Sequence, residues 1–344
     1  MIKYLSLFSG IGAFEKALSN LKIDYELVNF CELDKYAVKS YCAIHNLDES
    51  LNLGDITKID EKTLPKVDFI TYGFPCQDIS LAGKQQGLFN EDGSKTRSGL
   101  FFDALRIIEH CQPKVAIAEN VKNLTSKKFN AEFQVVLASL ESAGYNNYWA
   151  ILNSKDYGIP QNRERVFIVS IRKDVDTGLF EFPTPYPLKL KLKDVLEDIV
   201  DEKFYFSNKS LDRMNAWKSF QNPLNKVLGT ESISPTITTR IALSDGGGIN
   251  ASTKLYSNLL KDEQNLRNNY NDLNIRYYTP KECWFLMGFT QEDFEKAKKA
   301  IGILNLTNQQ KEGCLYKQAG NSIVVDVAEE LLCMLFDEEG YFFI

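Results

Sequence analysis

The chain has 344 residues, 44% hydrophobic and 25% charged, with a formal net charge of −6. That composition fits one large globular α/β domain plus a smaller one and excludes a disordered or collagen-like chain. The acidic balance weighs against indiscriminate nucleic-acid binding while leaving room for a locally basic face. No apolar run is long enough to span a bilayer, and Met1-Ile2-Lys3-Tyr4 runs straight into a strand pattern, so neither a membrane protein nor a signal peptide is expected. Seven cysteines without a Cys-x-x-Cys pair suit neither a disulfide framework nor a zinc site, and a cytoplasmic setting is expected. With His45 and His110 alone, histidine-based catalysis is not expected.

Residues 3–8 read as the first strand, Ser9-Gly10-Ile11-Gly12 as the turn after it, and 13–18 as a helix start. A second strand over 25–30 ends at Cys31-Glu32-Leu33-Asp34, and helical spacing follows from 35 to 45. A Gly-rich first turn with an acid about twenty residues on is the arrangement of nucleoside-binding α/β folds. The dinucleotide fingerprint wants a third glycine where this chain has Glu15, which lowers a nicotinamide reading. A cofactor without a pyrophosphate, such as S-adenosylmethionine, has no such need. Glu32 could accept from two ribose hydroxyls, its plainer reading being a solvated strand-end acid. Asp55, after Gly54, reads on its own as a turn acid.

A buried strand over 67–72 ends in Gly73-Phe74-Pro75-Cys76-Gln77-Asp78-Ile79-Ser80. In open α/β sheets ligands bind at that strand edge, so Cys76 is a candidate nucleophile acting as a thiolate. The other six cysteines read as small buried residues. Residues 81–97 are polar, with Gly83, Gly87 and Gly93, and read as a lid. A helix over 98–110 and a strand over 114–118 lead to Glu119-Asn120-Val121. A helix over 129–142 and strands over 145–152 and 165–170 follow. Arg163 and Arg165, two apart on an extended segment, point the same way and suit a phosphate or a base carbonyl; the plainer reading is an edge-strand ion pair.

The proline run at 183–187 marks a domain boundary, and the chain from there to about 275 is polar and irregular. Thr279-Pro280-Lys281-Glu282 is a helix start. Residues 318–327 are expected to open a C-terminal helix docking on the first domain. Gly320-Asn321-Ser322, just before it, would offer N–H groups and an amide to a ligand.

The ordered set Phe8-Ser9-Gly10, Gly73-Phe74-Pro75-Cys76-Gln77-x-Ile79-Ser80, Glu119-Asn120-Val121, Gln161-x-Arg163-x-Arg165 and Gly320-Asn321-Ser322 closely resembles the cytosine-5 DNA methyltransferase family. The resemblance covers nearly the whole chain outside roughly residues 186–270. It implies an α/β fold: a doubly wound, mostly parallel sheet of the S-adenosylmethionine-dependent methyltransferase type with a smaller irregular DNA-recognition domain. Residues 1–185 would be catalytic and cofactor-binding, 186–315 the recognition domain and hinge, and 316–344 a segment returning to the catalytic domain.

The resemblance also implies roles. Cys76 would attack C6 of cytosine, Glu119 would face N3, Arg165 would hold the base carbonyl, and Arg163 would support the loop or a phosphate. Phe8 would stack on adenine; Gly10, Ile11 and Gly12 would line the methionine arm; Glu32 would bind the ribose and Asp55 the adenine amino group. Ile56, Pro75, Leu100, Asn321 and Ser322 would complete the cofactor site. Leu33 departs from the pattern, since many members carry Trp there. Ser80, Gln85, Arg97, Thr236, Ile237 and Arg240 would meet the DNA. The expected cofactor is S-adenosylmethionine, released as S-adenosylhomocysteine, with no metal. The expected substrate is double-stranded DNA, the protein a monomer away from membranes, of bacterial or phage origin, with a separately acting restriction endonuclease as a candidate partner. The tRNA-directed branch of the family is a rival, but its Cys-Phe-Thr signature is missing from this sequence. A binding protein without catalysis sits poorly with the intact Cys76, Glu119 and Arg165, and a nicotinamide oxidoreductase leaves Pro-Cys-Gln unexplained.

Overall fold

The structure, a computed structural model, describes residues 1–75, 78–79, 87–90, 92–205, 227–229, 231–239, 254–256, 275–336 and 341–342. Its chain divides into two units, Met1–Asn153 with Glu164–Pro185 and Val325–Ile344, and Ser154–Arg163 with Tyr186–Val324. The resemblance implies cuts at 185/186 and 315/316, the first also marked by the proline run. The contact division differs at Ser154–Arg163 and at 316–324, both of which cluster with the second unit.

The first unit carries β1 (Ile2–Leu7), α1 (Ala13–Asn20), β2 (Tyr25–Cys31), α2 (Lys35–His45), β3 (Phe69–Tyr72), α3 (Phe101–Cys111), β4 (Val115–Val121), α4 (Asn130–Ser142), β5 (Tyr145–Asn153), β7 (Glu164–Arg172) and, as α8, Val325–Phe336. Its sheet runs β2-β1-β3-β4-β7-β5. The first four strands are parallel, and β7 is antiparallel to both its neighbours. The chain leaves β1 toward β2 on one side and returns as β3 on the other, so the switch point lies between β1 and β3.

The central strands show no alternation because both faces are covered: all of Phe69–Tyr72 is buried, as is Val115 to Ala118. On one face Leu5, Leu7, Ile70, Tyr72, Ala116 and Ala118 pack with Ile107 and Ile108 of α3 and Phe133, Val136 and Leu140 of α4. On the other, Tyr4 stacks on Phe69, which meets Phe336 of α8 edge-on, and α8 packs against α1. Each Leu, Ile, Val or Phe among them contributes about 1.5–3 kcal/mol on full burial. Glu15, where the dinucleotide fingerprint has glycine, is buried and accepts from the Tyr41 hydroxyl at 2.8 Å and the Tyr4 hydroxyl at 3.3 Å.

The second unit carries β6 (Gln161–Asn162) paired with β9 (Ser234–Pro235), and a three-stranded sheet β11-β10-β8 built from Val227–Gly229 (β8), Lys254–Tyr256 (β10) and Ile275–Tyr277 (β11). Its helices are α5 (Pro280–Phe285), α6 (Gln291–Gly302) and α7 (Asn308–Asn321). The expected helix start is present, Thr279 and Glu282 form a capping box there, and Arg276 grips the buried Glu282 carboxylate through two bonds of 2.8 and 2.7 Å. One expectation is corrected here. Gln318 to Asn321 do not open the C-terminal helix; they are the last turn of α7, and α8 begins at Val325.

Candidate active site

β1 ends in a turn where Phe8, Gly10 and Gly12 take φ of 53°, 57° and 81°. For a phenylalanine this left-handed conformation costs about 1–2 kcal/mol, a strain found mostly at functional positions. Gly12 is obligatory on packing grounds too, because a Cβ there would collide with the His45 and Tyr41 rings. A Cβ on Gly10 would meet nothing within 4 Å, so the turn presents an open face. The Gly10 N–H donates to Glu32 Oε2 at 2.9 Å and the Asp34 N–H to Oε1 at 2.7 Å, tying this turn to the end of β2. Each carboxylate oxygen keeps further acceptor capacity. Burial, partly offset by those two N–H donors, raises the Glu32 carboxyl above the ordinary glutamate range.

Asp55 caps the short turn Ile56–Lys58, accepting from the Thr57 N–H and hydroxyl at 3.1 and 2.8 Å, which lowers its carboxyl below the usual range. Asn52 joins the two acids, and sequence reasoning gave it no role. Its Oδ1 accepts from the Glu32 and Gly54 N–H groups and its Nδ2 donates to the Glu32 carbonyl, each at 3.0 Å. The Ile56 side chain belongs to the apolar core. Ile11 is buried, Pro75 and Leu100 are half-buried, and Leu33 is 74% exposed. This open turn with its flanking acceptors matches what an adenosyl group with an amino-acid arm requires.

At the neighbouring strand ends, Tyr72 of β3 is in register with Ala118 of β4, which sets Gly73 beside Glu119. A Cβ on Gly73 would lie 3.6 Å from Glu119 Oε2. Val121 opposes Arg165 across the antiparallel β4–β7 pair, making Glu119 and Arg165 diagonal neighbours. Arg165 Nε and Glu119 Oε1 are 3.1 Å apart and mostly buried. Asn120, also missed, donates to the Phe74 carbonyl at 3.0 Å and accepts from the Val121 N–H at 2.8 Å, fixing the step into Pro75. An amide directly after the acid Glu119 was the signal available in the sequence.

Cys76, Ser80, Gln85 and Arg240 lie outside the described residues. Just past Cys76 in sequence, Asp78 is buried. Its carboxylate accepts from the Arg97 N–H at 3.0 Å and the Arg97 guanidinium at 3.1 Å, and its carbonyl accepts from the Gly87 N–H at 3.0 Å. Burial pushes the Cys31 thiol up to about 12 and those of Cys42 and Cys111 up to about 11, and raises Cys283 strongly, so none of these four suits a thiolate role. Cys314 is half-buried and Cys333 exposed, against the expectation of burial. His45 and His110 each meet a backbone carbonyl, of Ile11 and Leu64.

In the second unit Arg163 is buried, and its guanidinium donates to the carbonyls of Ile237 at 2.9 Å, Gly320 at 3.2 Å and Ser322 at 2.7 Å. It therefore caps the C-terminus of α7, where carbonyls lack helical partners, and positions that segment. Arg163 and Arg165 fall in different units. Gly320 and Asn321 sit inside the helix, and the Ser322 N–H donates to the Ala319 carbonyl, so that N–H is engaged within the chain. Asn321 is exposed and Ser322 buried. A Cβ on Gly320 would collide with the main chain of Thr238 and Thr239. Thr236 donates to the Asn162 carbonyl at 2.8 Å. Ile237 is fully buried, its N–H donating to Gln161 Oε1 at 2.9 Å.

Among the described residues no group of three His, Cys, Asp or Glu could hold a metal, and no helix is long and apolar enough to cross a membrane. A family model for C-5 cytosine-specific DNA methylases matches residues 2–336. The orphan methyltransferase M.SPBetaI of Bacillus phage SPbeta is 31% identical over 96% of each chain. The type II methyltransferase M2.ScrFI of Lactococcus lactis subsp. cremoris is 35% identical over 98% of this chain and 100% of its own. The type II methyltransferase M.HhaI of Haemophilus parahaemolyticus is 35% identical over 95% and 92%. Among solved structures, the Dnmt2 methyltransferase of S. pombe matches with a TM-score of 0.73 at 23% identity, over 96% of this chain and 97% of that one, a likeness of fold alone.

Proposed function

The chain belongs to the C-5 cytosine-specific DNA methylase family and is a DNA cytosine methyltransferase; from that premise we propose that it methylates C5 of a cytosine flipped from duplex DNA within a short specific sequence, using Cys76 as nucleophile. One observation carries this reading. The paired Glu119 and Arg165 lie beside Gly73, three residues before Cys76, at the strand-end edge next to the β1 turn.

Cytosine C5 is a poor nucleophile. Addition of the Cys76 thiolate to C6 forms an S–C6 bond and turns the ring into an enamine whose electron pair sits at C5. Glu119 shares a proton with N3 and so stabilises the charge the ring takes up, while Arg165 orients Glu119 and holds the base carbonyl. S-adenosylmethionine, when bound, supplies an electrophilic sulfonium methyl group. Loss of the C5 proton to a base or water then restores the ring and breaks the S–C6 bond, freeing the thiolate. Glu32 and Asp55 hold the ribose and adenine, with the strained Phe8 against the ring. Flipping costs about a few kcal/mol, which phosphate contacts such as Arg97 help to offset.

The relatives include orphan phage methyltransferases and type II enzymes, which supports a role in modifying bacterial or phage DNA against a separately encoded nuclease. The test is transfer of labelled methyl from S-adenosylmethionine to unmethylated plasmid and to tRNA, by the parent and by Cys76→Ala. The reading expects label in plasmid alone and none with the variant. Substantial methylation by Cys76→Ala, or transfer to tRNA instead of plasmid, would overturn it.

A further inference from the structure

Resting on the reading of Glu32 and Asp55 as the two nucleoside acceptors, we infer that Asn52 is the positioning residue that sets one against the other and thereby gives the site its preference for a ribonucleoside. The two acids come from different segments, and nothing in the sheet itself fixes their separation. Residues 51–54 are laid along the outer edge of β2: Asn52 bridges Phe30, the Leu53 N–H donates to the Phe30 carbonyl at 2.7 Å, and Asn29 Nδ2 donates to the Leu51 carbonyl at 3.0 Å. That strip is in place whatever side chain stands at position 52. The side chain supplies what the strip lacks. Its amide oxygen takes the N–H of Glu32 and the N–H of Gly54, while its amide nitrogen gives a proton to the Glu32 carbonyl.

The peptide of Glu32 is thus held from both ends by one amide. Gly54, which immediately precedes Asp55 and takes φ of 73°, is held through its N–H by Asn52 and through its carbonyl by the Cys31 thiol at 3.1 Å. Three bonds near ideal length use the donor and acceptor sides of one planar group together. Aspartate is nearly the same shape, keeps both accepted bonds, and replaces the donor with an oxygen facing the Glu32 carbonyl. The geometry therefore separates an amide-specific role from simple filling of space.

The test is calorimetric binding of S-adenosylhomocysteine and its 2′-deoxy analogue to the parent, Asn52→Ala, Asn52→Asp and Glu32→Ala, with melting curves and DNA binding measured alongside. The parent should prefer the ribonucleoside by roughly tenfold or more, as loss of a hydrogen bond to a charged group requires. Both Asn52 variants should bind S-adenosylhomocysteine about tenfold more weakly and keep only about a two- to threefold preference, with DNA affinity unchanged. Asn52→Asp, isosteric and able to keep two of the three bonds, tests the role even if Asn52→Ala folds poorly. Retention of the parent's preference by Asn52→Asp would overturn the inference. Where Glu32→Ala loses the preference and the Asn52 variants keep it, the inference alone fails. Where Glu32→Ala also keeps it, the ribose reading of Glu32 fails and takes the inference with it.

Discussion

Glu119 and Arg165 are held 3.1 Å apart by strand register, so neither needs the substrate to bring it into place. Preorganised charge of this kind acts on a transition state without reorganising when the reaction occurs. Glu119→Gln keeps the shape and removes the exchangeable proton, and should slow single-turnover transfer by about 10²–10⁴-fold, the usual reach of a general acid, while DNA and cofactor affinities stay within a few-fold. An unchanged single-turnover rate would place the acid elsewhere. Glu32→Ala should weaken cofactor binding by at least tenfold and leave DNA binding alone; equal losses in both, read by titration, would remove it from the ribose. Because its carboxyl is raised by burial, cofactor affinity should fall on acidification earlier than an ordinary glutamate would dictate.

The elements that carry chemistry were legible in the sequence because strand and motif coincide there. The buried runs before Gly73 and Glu119, and the Gly-rich turn after β1, showed where the sheet edge lies. The region after Arg163 was less legible: α7 has a weak apolar stripe, and neither it nor α6 was recognised. Their signal was local: Thr290 with Asp293, and Thr307 with Gln310, form reciprocal capping boxes like that of Thr279 with Glu282. Missing α7 turned its C-terminus into an apparent N-terminus, and with that the need for Arg163 as a carbonyl cap went unseen. Arg163→Ala should cost ~2–4 kcal/mol of stability in chemical denaturation, three carbonyls being left without their charged donor; a loss under ~0.5 kcal/mol would contradict the capping role. In α8, burial followed by the nearby Glu329 pushes Asp326 up to about 7, whereas an unfolded aspartate titrates near about 3.9. Between those values the folded state holds a proton that the unfolded chain has released, so stability falls as pH rises from about 4 to about 7 and levels off beyond. Lys16 and Asn20 of α1 act on Glu329 from the packed side. Asp326→Asn should remove that slope and exceed the parent's stability at pH 8 by ~1–2 kcal/mol, discounted for partial exposure. A variant-to-parent difference identical at pH 5 and pH 8 would count against it.

At the scale of the whole molecule, a chain of net charge −6 must bind a polyanion through local fields. Arg97 is suited to this: its side chain is 55% exposed while one edge is fixed by Asp78. Arg97→Ala should lower the salt slope of DNA binding by about 1 without altering sequence preference; an unchanged slope would take Arg97 off the phosphate. Which bases are read was not legible, because that depends on side chains in an irregular region with no periodic pattern to anchor it. The central claim is sequence-specific cytosine C5 methylation of duplex DNA, and bisulfite sequencing of an unmethylated plasmid after incubation with the protein and S-adenosylmethionine tests it most directly. Protected cytosines at one recurring short sequence, absent with Cys76→Ala, are the predicted result. A plasmid converted throughout by a preparation that binds the cofactor would contradict it.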